Sequence, residues 1–314
     1  MKILMIGNKE SGKTTYMASA FGLLNDGVDN FHIDADQTTR EWYQRLFKSI
    51  RSGGYPLASD KRESHRFKLK CLGKEVLDFE WIDYNGGIIR TIDADDLMND
   101  IDTCDGVMLF FDSIALYKNE SFKSQVRRIL TLIAQKLTNF SDPLFTVILV
   151  VTKVDLLPSF DAFKQVSQPL LPFMENTQDN DKIYARIVPV SCSKLGFYNI
   201  ELPLLDMLDS GMRTAYYKAQ QQAKGEVEQF QNLWDSRSVG DWIFSKLNGL
   251  PTNGELAQRH LSAAQRQVDL FESIEEPMKK LREYVQSYEI IWPNSVSRSK
   301  DSGQGKRGRR LIRF

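Results

Sequence analysis

The chain is predicted to fold as an α/β protein with a mostly parallel sheet and helices on both faces, followed by a C-terminal α-helical appendage. Three observations lead there. Over residues 1–210, short continuous apolar runs alternate with stretches of helical periodicity, and such runs suit parallel strands buried on both faces. Over 212–292 no strand-like run occurs, and apolar residues recur at heptad spacing. The 314 residues are 42% hydrophobic and 26% charged, an ordinary globular mix that excludes collagen, a disulfide scaffold and wholesale disorder.

Lys2–Ile6 is a short apolar run stopped by Gly7 and is read as a buried strand; Thr14–Leu24 follows as a helix. Thr39–Arg51 reads as a second helix, with a loop after it. Arg66–Cys71 and Glu75–Ile82 flank Leu72-Gly73-Lys74 and read as antiparallel strands joined by a tight turn. Gly106–Phe111 and Leu144–Val151 are buried strands. Between them Phe122, Val126, Ile129, Leu130, Ile133, Ala134 and Leu137 keep helical spacing. Tyr184–Val190 is the last strand.

Further on, Ala257, Leu261, Ala264, Val268, Phe271, Ile274, Met278, Leu281, Val285 and Tyr288 form a heptad seam with one stammer at Phe271–Ile274. Pro277, with Ser273 to Glu276 as a capping box, predicts a kink or restart there. Met212, Tyr216, Ala219, Ala223, Phe230 and Leu233 form a second stripe. These stripes pack on the α/β body, on each other, or on a partner as a coiled coil. The expected division is 1–211, 212–292 and a tail over 293–314.

Lys+Arg and Asp+Glu are 41 each, but the balance hides opposed ends. Residues 298–314 hold seven basic residues and one acid, a net of +6, which leaves −6 on the first 297. The tail is either a solvated end or a contact for an acidic partner, nucleic acid or anionic lipid. Cys71, Cys104 and Cys192 are too widely spaced for a framework or metal pair and fit a reducing compartment. No run approaches about 18 apolar residues, and the apolar start is too short for a signal segment. A cytoplasmic chain without a transmembrane segment is expected.

Gly7-Asn8-Lys9-Glu10-Ser11-Gly12-Lys13-Thr14 matches G-x-x-x-x-G-K-[ST] in full, between a predicted strand and a predicted helix. Glycines let successive backbone N–H groups face a phosphate, and the helix start adds its positive dipole end. In that pattern Lys13 reaches the β- and γ-phosphates, the Thr14 hydroxyl binds Mg²⁺, and Thr15 continues the loop's contact. Asp83 stands at a strand end, where a carboxylate holds Mg²⁺ through water. It opens Asp83-Tyr84-Asn85-Gly86, whose Gly86 N–H can turn toward a γ-phosphate. Thr152-Lys153-Val154-Asp155 follows the Leu144–Val151 strand. An Asp155 carboxylate accepts both N1–H and the exocyclic N2–H₂ of guanine, a donor pair adenine lacks, while Lys153 lies along the base and steadies the phosphate loop. Ser191-Cys192-Ser193 offers backbone N–H groups for guanine O6.

These four segments resemble the P-loop GTPase superfamily, in the translation-factor-like branch of Ras-like and dynamin-like proteins, over about residues 1–210. The resemblance implies a three-layer G domain with GTP and GDP as substrate and product and Mg²⁺ as cofactor. It also implies switch regions that meet an effector or activator, and nucleotide-dependent dimerisation. T-K-x-D in place of N-K-x-D is similar to dynamin-like GTPases. Ser11–Ser19 (SGKTTYMAS) and Phe79–Tyr84 (FEWIDY) look most like the bacterial double-GTPase group, often associated with conflict systems.

The sequence departs from the family in three places. Gly87 stands where a water-positioning Gln is usual, so hydrolysis is expected to be slow or to need another group; such residues contribute about 10³–10⁵ in rate. Arg90 is near enough to act in cis. Lys9 and Glu10 replace small residues; Lys9 either supplies charge over the phosphates or points to solvent. Thr38, Thr39 and Ser59 are candidates for a second hydroxyl beside Mg²⁺. Ser59 is preferred because Gly54–Ser59 resembles the double-GTPase switch segment. Two readings follow, a slow or activated GTPase and a scaffold that binds nucleotide without turnover. An ATP-specific enzyme is disfavoured by the order of the segments.

Overall fold

A computed structural model describes residues 1–56, 63–83, 99–138, 144–178, 180–194, 196–238 and 250–292, together with 241, 245, 246 and 248. Its contacts divide the chain into two compact units, Met1–Gly211 with the residues from Leu281 on, and Met212–Lys280.

The first unit is built on a seven-stranded sheet. Its elements in chain order are β1 (Lys2–Gly7), α1 (Lys13–Asp26), β2 (Phe31–Ala35), α2 (Gln37–Arg51), β3 (Glu63–Cys71), β4 (Lys74–Asp83) and β5 (Gly106–Asp112). There follow α3 (Ser113–Lys118), α4 (Glu120–Thr138), β6 (Phe145–Thr152), α5 (Phe160–Ser167), α6 (Leu171–Gln178) and β7 (Ile183–Pro189). A hairpin of β8 (Ser191–Ser193) and β9 (Gly196–Tyr198) leads into α7 (Glu201–Asp235), and α8 is Asn253–Ser287. The strand order is β2-β3-β4-β1-β5-β6-β7. The run β4 to β7 is parallel, and β2–β3 and β3–β4 are antiparallel.

The strands of the parallel part are buried on both faces, as their unbroken apolar runs require. Leu4, Ile6, Val107, Leu109, Phe111, Val147, Leu149 and Val151 meet the α4 stripe of Phe122, Val126, Ile129, Ile133 and Leu137 on one face. On the other, Tyr16 of α1 packs its ring 5.2 Å from Phe110. Gly106 leaves room there for Met207 of α7, whose Sδ would lie 2.5 Å from an added Cβ. Two helical layers thus enclose the sheet. Asp206 of α7, 1% exposed, accepts from Tyr184 Oη and from the Arg186 guanidinium of β7, both at 3.1 Å.

β2 and α2 extend the sheet edge. The strand β2 is too short and too polar to stand out in the sequence, and β3 supplies what it lacks: Asp34 of β2 bonds Lys70 Nζ at 2.8 Å. Lys70 Nζ, the Ala35 N–H and Arg40 outweigh the effect of burial and hold the Asp34 carboxyl at about 2. Beneath this edge, Phe21, Tyr43, Phe67, Phe79 and Trp81 form a buried aromatic cluster with centroids 5.0–6.0 Å apart. The two-residue turn between β3 and β4 places Leu72 and Gly73 at φ 52° and 79°, with Cys71 and Lys74 paired across it.

In the second unit the parts of α7 and α8 run antiparallel. Asn253 Nδ2 donates to Ser236 Oγ at 3.2 Å, and His260 Nδ1 lies 2.5 Å from Glu226 Oε2. Ala219, Ala223, Ala257, Ala264 and Ile274 are buried, while Leu261 is 40% exposed. The expected restart at Pro277 does not occur: α8 is continuous through it. Ser273 Oγ donates back to Leu270 O at 2.7 Å and so does not cap a following segment. Residues Leu281–Trp292 belong to the first unit. Among the described residues no helix is long and apolar enough to cross a membrane.

Candidate functional site

The turn from β1 into α1 is shaped by close contact and by handedness. A Cβ at Gly7 would meet Ser11 Oγ at 2.6 Å and Phe110 O at 2.9 Å, so no larger residue fits there. Glu10 and Gly12 have φ of 65° and 91°, and this left-handed backbone curls the loop before α1 begins at Lys13. Lys13 is 8% exposed; its Nζ donates to Gly7 O at 3.0 Å and lies 3.8 Å from Asp83 Oδ1. Burial lowers its pKa, against the pull of Asp83. Asp83, the last residue of β4, is raised to about 6 by burial, with Lys13 lowering it and Glu63 raising it. Burial disfavours both charges, and their 3.8 Å pairing compensates incompletely. Asn8 Oδ1, Ser11 Oγ and Asp83 Oδ1 are buried with no hydrogen-bond partner in the described structure.

The second segment follows β6. Thr152 Oγ1 donates to Ser11 O at 2.7 Å and to Phe111 O at 3.2 Å. Lys153, at φ 57°, sends its Nζ to Glu10 O at 2.8 Å and to Asp112 Oδ2 at 2.5 Å. Asp155 accepts from Ser191 Oγ at 2.6 Å, which ties the third segment to the second. Cys192 is held in the thiol form: burial and Asp155 push it up to about 12 against the Ser19 hydroxyl.

Asn8, Lys9, Glu10, Ser11, Gly12, Lys13, Thr14, Thr15, Asp83, Thr152, Lys153, Asp155, Cys192 and Ser193 line one cavity of about 540 Å³, within the range of small-molecule sites. Lys9 and Glu10 are exposed at its edge. Tyr55, Pro56, Leu156 and Val190 complete the wall; the first two belong to the Gly54–Ser59 segment noted in the sequence, and Leu156 and Val190 are residues it did not single out as site residues. Nor did it single out Asp112, although a carboxylate ending the apolar run of β5 is a readable signal. Thr39 is committed elsewhere: its N–H and hydroxyl bond Asp36 at 3.0 and 2.6 Å and cap α2. Thr38, also on α2, does not line the cavity. Ser59, Gly86, Gly87 and Arg90 lie outside the described residues.

The sequence matches no family model and no curated protein. Among solved structures it is similar to the signal recognition particle receptor SRb-GTP/SRX complex from Chaetomium thermophilum, at 14% identity and a TM-score of 0.39, over 61% of this chain and 90% of that one. The Ski7 GTPase-like domain of S. cerevisiae, bound to GDP and inorganic phosphate, is similar at 15% and 0.40, over 61% of this chain and 43% of that one. The Arl6 BBS3 small GTPase from Trypanosoma brucei, with bound nucleotide analogue GppNp, is similar at 14% and 0.42, over 68% and 98%. These values are too low to transfer a property from those proteins, and the site stands on its own geometry.

Proposed function

We propose that this chain is a guanine-nucleotide-binding switch that hydrolyses GTP to GDP and phosphate with Mg²⁺, slowly or on activation. The observation that carries the reading is a single cavity lined at once by the phosphate loop, by Asp83 and by the Thr152–Asp155 and Cys192–Ser193 segments. Lys13 is a buried cation whose carboxylate partner is 3.8 Å away, and a polyphosphate supplies the missing negative charge. Of the buried atoms without a hydrogen-bond partner, the Ser11 hydroxyl can donate to that polyphosphate, and Asp83 Oδ1 can hold a cation or its water. Among the described residues no cluster of three acids, histidines or cysteines forms a metal cage. Asp83 and the Thr14 hydroxyl, both at the cavity, would hold the cation together with phosphate and water, with Ser59 as a further hydroxyl. Mg²⁺, when bound, would neutralise negative charge on the phosphates.

The chain's own groups do the rest. Backbone N–H groups of Gly7–Thr14 and the start of α1 bind phosphate oxygens. Lys13 holds the β- and γ-phosphates, Gly86 N–H meets the γ-phosphate, and Lys9 adds positive charge at the transition state. Asp155 accepts from the base, and Ser191–Ser193 N–H groups face its O6. Water attacks the γ-phosphorus and the bond to GDP breaks. Gly87 has no side chain to orient that water, so the intrinsic rate is low. Loss of the γ-phosphate then releases the switch loops, and the effector reads the change there and through the helical unit. The finer likeness to bacterial double-GTPases rests on residues 11–19 and 79–84.

Gly87 also favours the second reading, a scaffold that binds nucleotide without turnover. Two measurements separate the cases. The nucleotide that copurifies is extracted and identified, and phosphate release is followed with GTP and with ATP. Guanine nucleotide and slow, Mg²⁺-dependent release from GTP are expected. Tight ATP without GTP binding overturns the base assignment; bound GTP that persists unhydrolysed leaves the scaffold.

A further inference from the structure

Two of the contacts made by the residues after α8 adjoin the proposed base-reading segments. Asn199 follows β9, at the end of the hairpin that begins with Ser191. Its Nδ2 donates to Ile291 O at 2.9 Å and to Pro189 O at 2.8 Å, and its Oδ1 accepts from Ile291 N at 2.8 Å. One amide side chain thus satisfies both backbone groups of Ile291 whatever its side chain is. Asn199 is 2% exposed and sits at φ 56°, a conformation Asn tolerates better than most residues. One residue on, Trp292 is 4% exposed and packs its ring 5.5 Å from Phe160 and 5.3 Å from Phe163. Those phenylalanines belong to α5, the helix after Lys153-Val154-Asp155. At the cavity the same two segments meet through Ser191 Oγ and Asp155 Oδ1 at 2.6 Å.

We propose that Tyr288–Trp292 is a strap that sets the geometry of base reading. Asn199 and Trp292 are positioning residues: with Ile291 they close a second bridge between the hairpin and α5, behind the Ser191–Asp155 bridge. Docked, the strap holds Asp155 where it accepts from the base; undocked, it leaves the two segments joined at one point. By linkage, whatever the strap adds to nucleotide affinity the nucleotide adds to strap docking. The inference rests on the guanine reading of the site.

The test uses the full chain and its Asn199→Asp, Trp292→Ala and Trp292→Phe variants, with GDP and inosine diphosphate as probes. Inosine lacks the exocyclic amino group, so the ratio of the two affinities reads the Asp155 contact. Asn199→Asp keeps an acceptor for Ile291 N–H but removes the donor and sets a carboxylate against two carbonyls. GDP dissociation is expected to quicken about tenfold in Asn199→Asp and Trp292→Ala and to stay near wild type in Trp292→Phe. Discrimination against inosine diphosphate should fall with it. In the wild type, GDP should slow amide exchange over 288–292 more than inosine diphosphate does. Folded variants with wild-type release, or faster release at an unchanged ratio, overturn the strap's role. So does wild-type exchange indifferent to GDP. Equal wild-type affinity for both probes instead overturns the guanine reading itself, and the strap with it.

Discussion

Asp83 is under two opposed demands. A carboxylate serves the site, but burial raises its pKa from 3.8 to about 6. An acid raised in the folded state destabilises the fold wherever it is ionised. The penalty is absent below about 4 and complete above about 6, so the nucleotide-free chain gains stability as pH falls through that window. Asp83→Asn is expected to stabilise the nucleotide-free chain by roughly 1–3 kcal/mol at neutral pH and to abolish Mg²⁺-dependent turnover. Calorimetry at pH 7.5 and 5 checks the first; a less stable variant would contradict it. Asp34 has the reverse sign. Its carboxyl, held at about 2, stabilises the fold above 3.8, and the gain is lost as pH falls toward 2. At the base end, Asp155→Asn should shift preference from guanine toward xanthine nucleotides in competition binding, since an amide donates where the carboxylate accepted. An unchanged preference would remove Asp155 from base reading. Glu10 and Lys153, both with positive φ, line the cavity. Strain of this kind persists where surrounding contacts over-determine the backbone.

At the scale of elements, the β3–β4 turn carries a correctable fault. Two-residue turns with positive φ at both positions favour Asn-Gly, and here Leu72 holds the first at φ 52° while 59% exposed. Leu72→Asn should stabilise the chain by about 0.5–1 kcal/mol, visible as a higher denaturation midpoint. The crossing of α1 and α2 has no such slack. A Cβ on Gly22 would stand 2.1 Å from the Phe47 ring, so Gly22→Ala should cost about 1–3 kcal/mol in the same measurement. Elements with strong local patterns were legible in the sequence: β1, α1, β5, β6 and the α4 stripe all stand near their expected bounds. β2 was not, because Asp34 and Lys70 stabilise it across 36 residues of chain. Nor were β8 and β9, each only three residues long. The capping signal at Ser273 misled because the hydroxyl had a nearer carbonyl in its own helix.

At the scale of the whole molecule, the proposed function predicts that nucleotide and fold are linked. GDP at about a hundred times its dissociation constant should add about 2.7 kcal/mol, a rise of several degrees in the thermal midpoint, and ATP should not. Light scattering with GDP and a non-hydrolysable GTP analogue tests nucleotide-dependent dimerisation. Any contact made by the +6 tail should weaken steeply with salt. The sequence by itself determined the alternation of strands and helices and picked out Gly7–Thr14, Asp83 and Asp155, which line one cavity, because each is written in neighbouring residues as spacing and apolar runs. Only the tertiary structure decided that Lys153 meets Asp112 and the phosphate loop, that Tyr55 and Leu156 wall the cavity, and that Asn199 grips Ile291. The bonds of Lys153, and those of Asn199 to Ile291, join residues 41 to 143 positions apart. Their partners are chosen by strand order and packing, which no local pattern records.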